Sequence, residues 1–531
     1  MENSLNTKEE LAKNLEISLD ELERKLRDQK WRLNNLYYIK DENGLKVKFK
    51  MRPVQEELFD NLWFRNVIPK SRQHGITTFM SILALDNCIF RKNYSASIIA
   101  QDLNAMKKIF KNTIKFAWDQ FPRVLKHTFS DLTSDNALEM SLGNGSSISV
   151  TLSTRSGTPQ FLHISELGPI VAKSPEKADE IRSGALNSSH VGNMVTIEST
   201  AKGSVGLFAD LCFKAKELQD SGEALSPLDF KLFFFPWWKD PKNSIAEEYL
   251  SGKTINQHTK DYFRSIREQV DHYNFTEGQM LWWQIKEGEQ KGSMNEEQPS
   301  TFDESFNTIV ENAYYKQELQ RLLEEGRLRD ISINPDYYVY TAWDLGMNDL
   351  NPIIFFQYYN GNLYIVDAYK NSGAGLEHYV NVLEKKGYRY GGHYLPHDVE
   401  VKEVGSGTTR KQTLYNLGLR NIITQIHHKA DQGTNFKDGI DQVRRTFSKI
   451  YIDKARCSGK DSLFESLMNY QQEVSSKTGL PTGTHRKNGA QHYADALRVL
   501  CTTFKFFTVR LNVNGERDEN INIVQTTNSF G

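Results

Sequence analysis

Hydrophobic and polar positions repeat along this chain with two periods, and the places where the period changes mark its elements. Near the start, Leu11, Leu15, Leu19, Leu22 and Leu26 recur at helical spacing. Thr7 with Glu10, and Ser18 with Glu21, have the hydroxyl–carboxylate spacing of capping boxes, so two short helices are expected. The pair reads either as a helix-turn-helix or as a hairpin that docks on a partner or on the main body. A helix is expected from Arg52, then a turn over 69–75 leading into the helical run Ile76–Phe90, and the apolar stretch 94–100 reads as a strand. A long helix over 103–118 precedes strands at 146–152, 160–164 and Met194–Ser199. Strands interleaved with helices predict a mainly parallel α/β sheet.

The pattern changes between about 240 and 330, where Glu, Lys, Gln and aromatic residues dominate and helices without buried strands are expected. Alternation resumes at 337–343, 352–358 and 363–368, the last two joined by Asn360-Gly361, a hairpin signal. Helices are expected near 376–387, 437–448, 461–475 and 490–505. The expected organisation is a helical extension over 1–45, an α/β domain over 46–240, a small helical linker or lid over 241–335, a second α/β domain over 336–505, and a polar tail over 506–531. No internal repeat is evident.

Composition narrows the class. A length of 531 residues suggests two to four domains. With 38% hydrophobic and 25% charged residues the chain can build ordinary cores, which argues against wholesale disorder. Lys+Arg 66 against Asp+Glu 67 excludes a uniformly basic nucleic-acid coat but permits local basic grooves. No apolar run approaches the ~18–20 residues of a bilayer span, and the polar, acidic start is unlike a signal peptide. Cys88, Cys212, Cys457 and Cys501 are widely spaced with no C-x-x-C pair, so neither a disulfide framework nor a zinc site is expected. A soluble protein of a reducing compartment, without membrane contact, is the expectation.

The first candidate chemistry is phosphate binding. Lys70-Ser71-Arg72-Gln73-His74-Gly75-Ile76-Thr77-Thr78 closes a turn and opens a helix, where backbone N–H groups and the helix N-terminus attract phosphate. On the pattern G-x-x-x-x-G-K-[ST], Gly75 takes the second glycine and Thr77 the Mg²⁺-holding hydroxyl, while Lys70 replaces the first glycine and Ile76 the lysine. A plain basic turn before a helix is the alternative. Further on, Phe161-Leu-His-Ile-Ser-Glu166 is an apolar strand ending in an acid, where an ATPase needs a carboxylate to orient water. Ser165 stands where an aspartate is usual, so any contact with Mg²⁺ there would run through its hydroxyl or a water. Thr196-Ile-Glu-Ser-Thr-Ala-Lys-Gly203 is a strand with a polar end, suited to sensing nucleotide state or simply to turning. Gln55 could read an adenine edge.

The second candidate chemistry is phosphodiester cleavage. Asp344 closes one apolar strand, Asp398 closes another short segment, and Asp495 lies on a late helix. Carboxylates converging on two Mg²⁺ or Mn²⁺ ions would activate water and stabilise the leaving oxygen. Asp349 and Asp367 are further carboxylates that structural turns explain equally well, and His397 either assists Asp398 or packs beside it. Lys402, Arg410, Lys411 and His427-His428-Lys429 flank this region, and Arg486-Lys487 precedes the late helix; together they would give sequence-tolerant phosphate contact.

Taken in order, these motifs resemble the large terminase subunit of tailed bacteriophages, over about residues 46–505. The loop 70–78 is similar to that family's deviant phosphate loop, with Lys70 or Arg72 compensating for the missing lysine. His163-Ile-Ser-Glu166 is similar to its second ATPase motif, and Ile197-Glu-Ser-Thr-Ala-Lys-Gly203 to its coupling motif. Phe234-Phe-Pro-Trp-Trp238 and Glu297-Gln-Pro-Ser-Thr301 resemble landmarks at the end of the ATPase core and in the linker. The resemblance implies a P-loop ATPase of the RecA/ASCE type followed by an RNase H-like nuclease. It implies Glu166 as catalytic carboxylate, with ATP bound by Gln55 and residues 70–78 and Mg²⁺ held at Thr77. Asp344, Asp398 and Asp495 would be the nuclease ligands, with Mg²⁺ or alternatively Mn²⁺. Arg72, or Arg155 reaching a neighbouring subunit, would neutralise charge on the γ-phosphate. The implied partners are double-stranded DNA, a portal protein, a small terminase subunit and further copies in a ring. The implied location is the host cytoplasm, transiently at the procapsid portal and not in the mature virion. A helicase-like ATPase–nuclease of repair or defence, or a non-catalytic DNA-binding scaffold, are the alternatives.

Overall fold

Nineteen strands in chain order build two main sheets and two hairpins in the computed structural model, which describes residues 7–129, 131–136, 138–153, 157–173, 175–204, 206–290, 293–306, 313–345, 350–402, 407–425, 434–459, 461–474, 481–485 and 489–504. The first hairpin comprises β1 (Tyr38–Lys40) and β2 (Lys46–Lys48). The first sheet contains β3 (Arg65–Pro69), β4 (Ser95–Ile99), β5 (Leu132–Asp135), β6 (Glu139–Leu142), β7 (Ser147–Thr151), β8 (Phe161–Ser165), β9 (Met194–Ser199) and β10 (Phe230–Leu232). Its order is β10-β3-β9-β8-β4-β7-β6-β5. The strands from β10 to β7 are parallel, and β6 and β5 close that side antiparallel.

The second sheet contains β11 (Leu328–Arg329), β12 (Val339–Trp343), β13 (Asn351–Tyr359), β14 (Asn362–Asn371), β15 (Tyr390–Leu395), β16 (Ile422–Thr424) and β17 (Ile450–Asp453). Its order is β11-β17-β14-β13-β12-β15-β16. Strand β13 runs antiparallel to β12 and β14, whereas β15 and β16 continue parallel to β12. The last hairpin pairs β18 (Gln472–Val474) with β19 (Pro481–His485). The chain divides into two compact units, Met1–Thr308 and Ile309–Gly531. Most of the expected linker stretch therefore clusters with the first unit, and its last part with the second. The polar tail 506–531 lies outside the described residues.

The predominantly parallel sheet and the mixed sheet agree with the expected α/β class. The hydrophobic pattern does not announce strand β3, because Arg65-Asn-Val-Ile-Pro is short and polar at its start. Nor does it announce β5, β6, β10, β16 and β17, each only three or four residues long. The expected helix over 103–118 is Leu103–Lys108 continuing through a π-turn, Ile109–Lys115, into Phe116–Gln120. Such bulges sit inside otherwise regular helices.

Helix Ile76–Phe90 is apolar nearly all round and is buried accordingly. Within it Asp86 is fully buried and accepts hydrogen bonds from Arg32 Nε (3.0 Å), Arg32 Nη2 (2.7 Å), Tyr37 Oη (2.8 Å) and Gln29 Nε2 (2.9 Å). Leu11, Ala12 and Leu22 of the first two helices, and Leu26 just after them, are buried in the same core as this helix, so the pair packs on the body. Thr7 and Glu10 form the full capping box, whereas Ser18 caps by accepting from Glu21 N–H. A third helix, Gln29–Leu36, follows them and carries Arg32.

Candidate functional site

In an open parallel sheet, ligands bind beyond the carboxyl ends of the strands. In the first unit β3, β9 and β8 are neighbours, so the loop after β3, the end of β9 and the Ser165–Glu166 corner meet at one edge. The register places Pro69 opposite Ser199, and Ser165 opposite Glu198.

The loop 70–75 is fastened on three sides. Lys70 N–H donates to Ser199 O, Ser71 N–H to Phe235 O and Arg72 N–H to Glu297 O. His74 is buried, with Nε2 3.1 Å from the carbonyl oxygens of both Phe235 and Pro236 and 2.8 Å from Ser71 Oγ. Burial lowers its pKa to about 4, so the ring is neutral. Gly75 caps the helix at φ +70°, and a Cβ there would lie 2.9 Å from Gln55 Nε2. The N–H groups of the first turn from Ile76 to Thr78 have no i−4 partner, as at every helix start. Ile76 itself points into the core.

Gln55, the candidate reader of an adenine edge, is engaged with the loop itself. It is buried, its Oε1 accepts from Arg52 N–H, and its Nε2 donates to His74 O (3.0 Å) and Gly75 O (3.1 Å), so the amide is spent on shaping the loop. Arg72 is exposed and pairs with Glu297, with Nη2–Oε1 at 3.0 Å. Lys202, from the segment 196–203, reaches Glu296 and Glu297 as well. Arg155 lies outside the described residues.

Lys70 is buried between two carboxylates: its Nζ lies 3.1 Å from Glu166 Oε1 and 3.1 Å from Glu198 Oε2. Burial opposes its charge, but Glu198 and Glu166 outweigh that penalty and raise its pKa above the ordinary range. Burial also works against the Glu198 carboxylate, yet Lys70, with His163 and Thr77, holds its pKa well below the usual value. Glu166 sits at φ +60°, a strained left-handed conformation for a non-glycine residue. Its N–H donates to Glu198 O and its Oε2 accepts from Thr200 N–H at 3.4 Å, so the segment 196–203 touches it directly. Gly168 permits this approach, since a Cβ there would fall 2.6 Å from Thr200 O. Thr77 Oγ1 donates to Glu198 Oε1 at 2.6 Å, and Ser165 Oγ donates to the same oxygen at 2.8 Å. Sequence reasoning misses Glu198 as a site residue; an acid inside an apolar strand, Met194-Val-Thr-Ile-Glu-Ser, is the signal it offers.

In the second unit, Asp344 follows β12 and Asp398 lies in the short turn His397–Glu400 after β15, the parallel neighbour of β12. Asp495 is on helix Gln491–Thr503, paired with Arg498 Nη1 at 2.9 Å. His492, one turn before it and missed in the sequence, lies with Nδ1 3.4 Å from Asp344 Oδ2. The spacing 492/495 puts both on one helix face. Burial raises the pKa of Asp398, with the Asp344 charge adding to it against His397 and Arg410. Burial pushes Asp495 up to about 6, against Arg498 and with a contribution from Asp344. The three acids therefore share one electrostatic neighbourhood at the carboxyl edge of β12 and β15. Their hard oxygens suit Mg²⁺ or Mn²⁺, and the mutual repulsion would be relieved by a cation. Even so, among the described residues no three His, Cys, Asp or Glu side chains close into a ready metal cluster.

Asp367 belongs elsewhere: Lys386 Nζ and Tyr388 Oη both bind its Oδ2, a buried structural contact. Arg410 Nη1 donates to Leu345 O (2.8 Å) and Lys411 pairs with Glu400 (2.8 Å), so neither is simply a free phosphate contact. Lys402 is exposed. Asp349, His427, His428, Lys429, Arg486 and Lys487 lie outside the described residues. Among the described residues no helix is long and apolar enough to cross a membrane.

No family model and no curated protein matches the chain. Solved structures do. A large terminase from a thermophilic bacteriophage is 14% identical, with 86% of this chain and 100% of that one covered at a TM-score of 0.29. The ATPase domain of the Thermus phage P74-26 large terminase is 16% identical, with 48% and 94% covered and a TM-score of 0.30. The nuclease domain of the P22 large terminase is 17% identical, with 34% and 88% covered and a TM-score of 0.27. Identities and scores this low do not decide what the chain does, and its own residues must.

Proposed function

We propose that this chain is a large terminase subunit: an ATPase that drives double-stranded viral DNA into a procapsid, joined to a nuclease that cuts the concatemer. The observation that carries the reading is the convergence of Lys70, Thr77, Ser165 and Glu166 on one sheet edge, on a chain whose second unit sets Asp344 and Asp398 at the ends of neighbouring parallel strands. In the first unit, the turn before Ile76 receives the phosphates and the N-terminus of a fifteen-residue helix favours their charge. Lys70 stands in for the absent loop lysine and moves from Glu166 to a phosphate oxygen when nucleotide enters. That exchange frees Glu166 to accept a proton from the attacking water. Thr200 and Ser199 pass the state of Glu166 along the coupling segment. Arg72 leaves Glu297 to meet γ-phosphate charge, or Arg155 does so from a neighbouring subunit.

Thr77 would hold the Mg²⁺ that accompanies ATP. In the second unit Asp344, Asp398 and Asp495 would hold Mg²⁺ or Mn²⁺, which supply an activated water and stabilise the leaving oxygen. His492 orients Asp344. The proposed setting is the host cytoplasm, transiently at the procapsid, where a ring of copies meets the portal protein and a small terminase subunit.

The test uses the purified chain with supercoiled plasmid, Mg²⁺ or Mn²⁺, and ATP. Plasmid cutting abolished by Asp344→Asn, beside ATP hydrolysis abolished by Glu166→Gln, is the expected result. Intact DNA binding with neither activity, in the chain and in its oligomer, would replace this reading with a non-catalytic scaffold.

A further inference from the structure

Strand β8 lacks the aspartate that ordinarily stands beside the Mg²⁺ of a P-loop site, because Ser165 occupies its place. The loop's Thr77 hydroxyl nevertheless has a carboxylate partner, and that partner belongs to the next strand. We propose that Glu198 on β9 is the metal-side carboxylate of the nucleotide site, taking over across the sheet the part that β8 gave up at Ser165. The inference rests on the nucleotide-site reading above and names one of its ligands.

Three observations carry it. The first is register: Glu198 lies directly opposite Ser165 on one side and opposite Ile68, just before the loop, on the other. It is thus flanked by both halves of the site. The second is reach. Adjacent strands are about 4.8 Å apart, and a glutamate has one methylene more than an aspartate, so its head group can lean back toward the position that β8 would have filled. Its Oε1 does so, meeting Ser165 Oγ at 2.8 Å and Thr77 Oγ1 at 2.6 Å, and these two hydroxyls are 3.3 Å apart. The third is what the other oxygen holds. Glu198 is fully buried, and its Oε2 faces the Lys70 ammonium 3.1 Å away. Here one oxygen faces a cation that the proposed mechanism moves to the phosphates. Two hydroxyls, a carboxylate and phosphate oxygens form the hard-oxygen set that Mg²⁺ prefers, with few carboxylates and room for water.

A counter-ion to Lys70 and a magnesium ligand make different demands, and binding can tell them apart without turnover. The experiment titrates a fluorescent ATP analogue into the full-length chain in EDTA and again across a range of Mg²⁺ concentrations. For the wild type, Mg²⁺ tightens binding. For Glu198→Gln, nucleotide still binds in EDTA but the gain from Mg²⁺ falls by about 10–100-fold, the scale of losing a group that tunes a metal site. In the double variant Ser165→Asp/Glu198→Gln, which returns an acid to β8, the gain recovers. A Glu198→Gln protein that folds and keeps the full Mg²⁺ gain overturns the inference while leaving the nucleotide-site reading intact. A wild type that binds no nucleotide, or binds it with no response to Mg²⁺, overturns that reading itself. Should Glu198→Gln fail to fold, Glu198→Asp keeps the Lys70 pairing; a several-fold rise in the Mg²⁺ midpoint supports the inference, and an unchanged midpoint overturns it.

Discussion

The two candidate sites both sit at the carboxyl edge of a sheet, yet they handle negative charge in opposite ways. In the first unit, Glu166 and Glu198 flank a buried lysine that neutralises them from within, and Glu198 stays ionised despite complete burial. In the second, Asp398 and Asp495 have raised pKa values, even though Asp495 is paired with Arg498. The first site brings its own cation and is wired shut before any ligand arrives. In the second, burial is the first cause of the raised values and the Asp344 charge adds to it, against His397 and Arg410 at Asp398 and Arg498 and His492 at Asp495. A carboxylate cluster is therefore read by what compensates it, and not by how many acids it has.

Separating the two chemistries should give the largest effect. Glu166→Gln is expected to lower ATP turnover by about 10²–10⁴-fold, the usual worth of a general base, while leaving plasmid cutting unchanged. Asp344→Asn should do the reverse, measured on the same preparations. Cross-effects in either direction would mean that the sites are not independent. The internal cation gives the next effect: Lys70→Met leaves Glu198 buried and unpaired, a change that costs about 3–5 kcal/mol where one partner of a buried pair is removed. Urea unfolding would read this as a lower midpoint at unchanged slope. In the second unit, Arg498→Met is expected to be destabilising as well, and Mg²⁺ should restore part of the loss because it replaces the missing charge; no restoration would remove the contrast between the sites.

Acid stability offers a common scale, since each unit buries a neutral histidine. His74 in the first and His393 in the second have pKa values lowered by burial to about 4. Unfolded histidine titrates near 6.5, so between about pH 6.5 and 4 the unfolded chain binds more protons than the native one. Stability should therefore fall as pH drops through that window, by up to about 1.4 kcal/mol per pH unit for each ring. His393 Nδ1 lies 2.7 Å from Thr341 Oγ1, which also accepts from Trp343 Nε1. A His393→Asn variant should show a shallower pH dependence of the unfolding midpoint than the wild type. The smallest effect belongs to Arg72→Ala: its pairing with Glu297 is solvent-exposed on the arginine side, and removing it should cost less than about 1 kcal/mol in urea unfolding.

The residues on their own specify the α/β class, the loop ahead of Ile76, the acid ending β8 and the acids at 344 and 398, because each lies at a change of hydrophobic period or at the end of an apolar run; Asp495, inside a helix, is singled out mainly by the resemblance. They also specify the capping of the first helix at Thr7. The short strands β3, β5, β6, β10, β16 and β17 are not legible, since three to five residues carry too little periodicity to rise above their neighbours. Gln55 has the look of an exposed polar residue and proves to be buried against the loop backbone, and Asp367 proves to be tied to Lys386 and Tyr388. Which acid faces Thr77 is settled in three dimensions alone. Glu198 and Ser165 are 33 residues apart in the chain, and their pairing comes from β9 being inserted between β3 and β8. Strand order is set by packing of the whole sheet, a non-local quantity that no local pattern of side chains records.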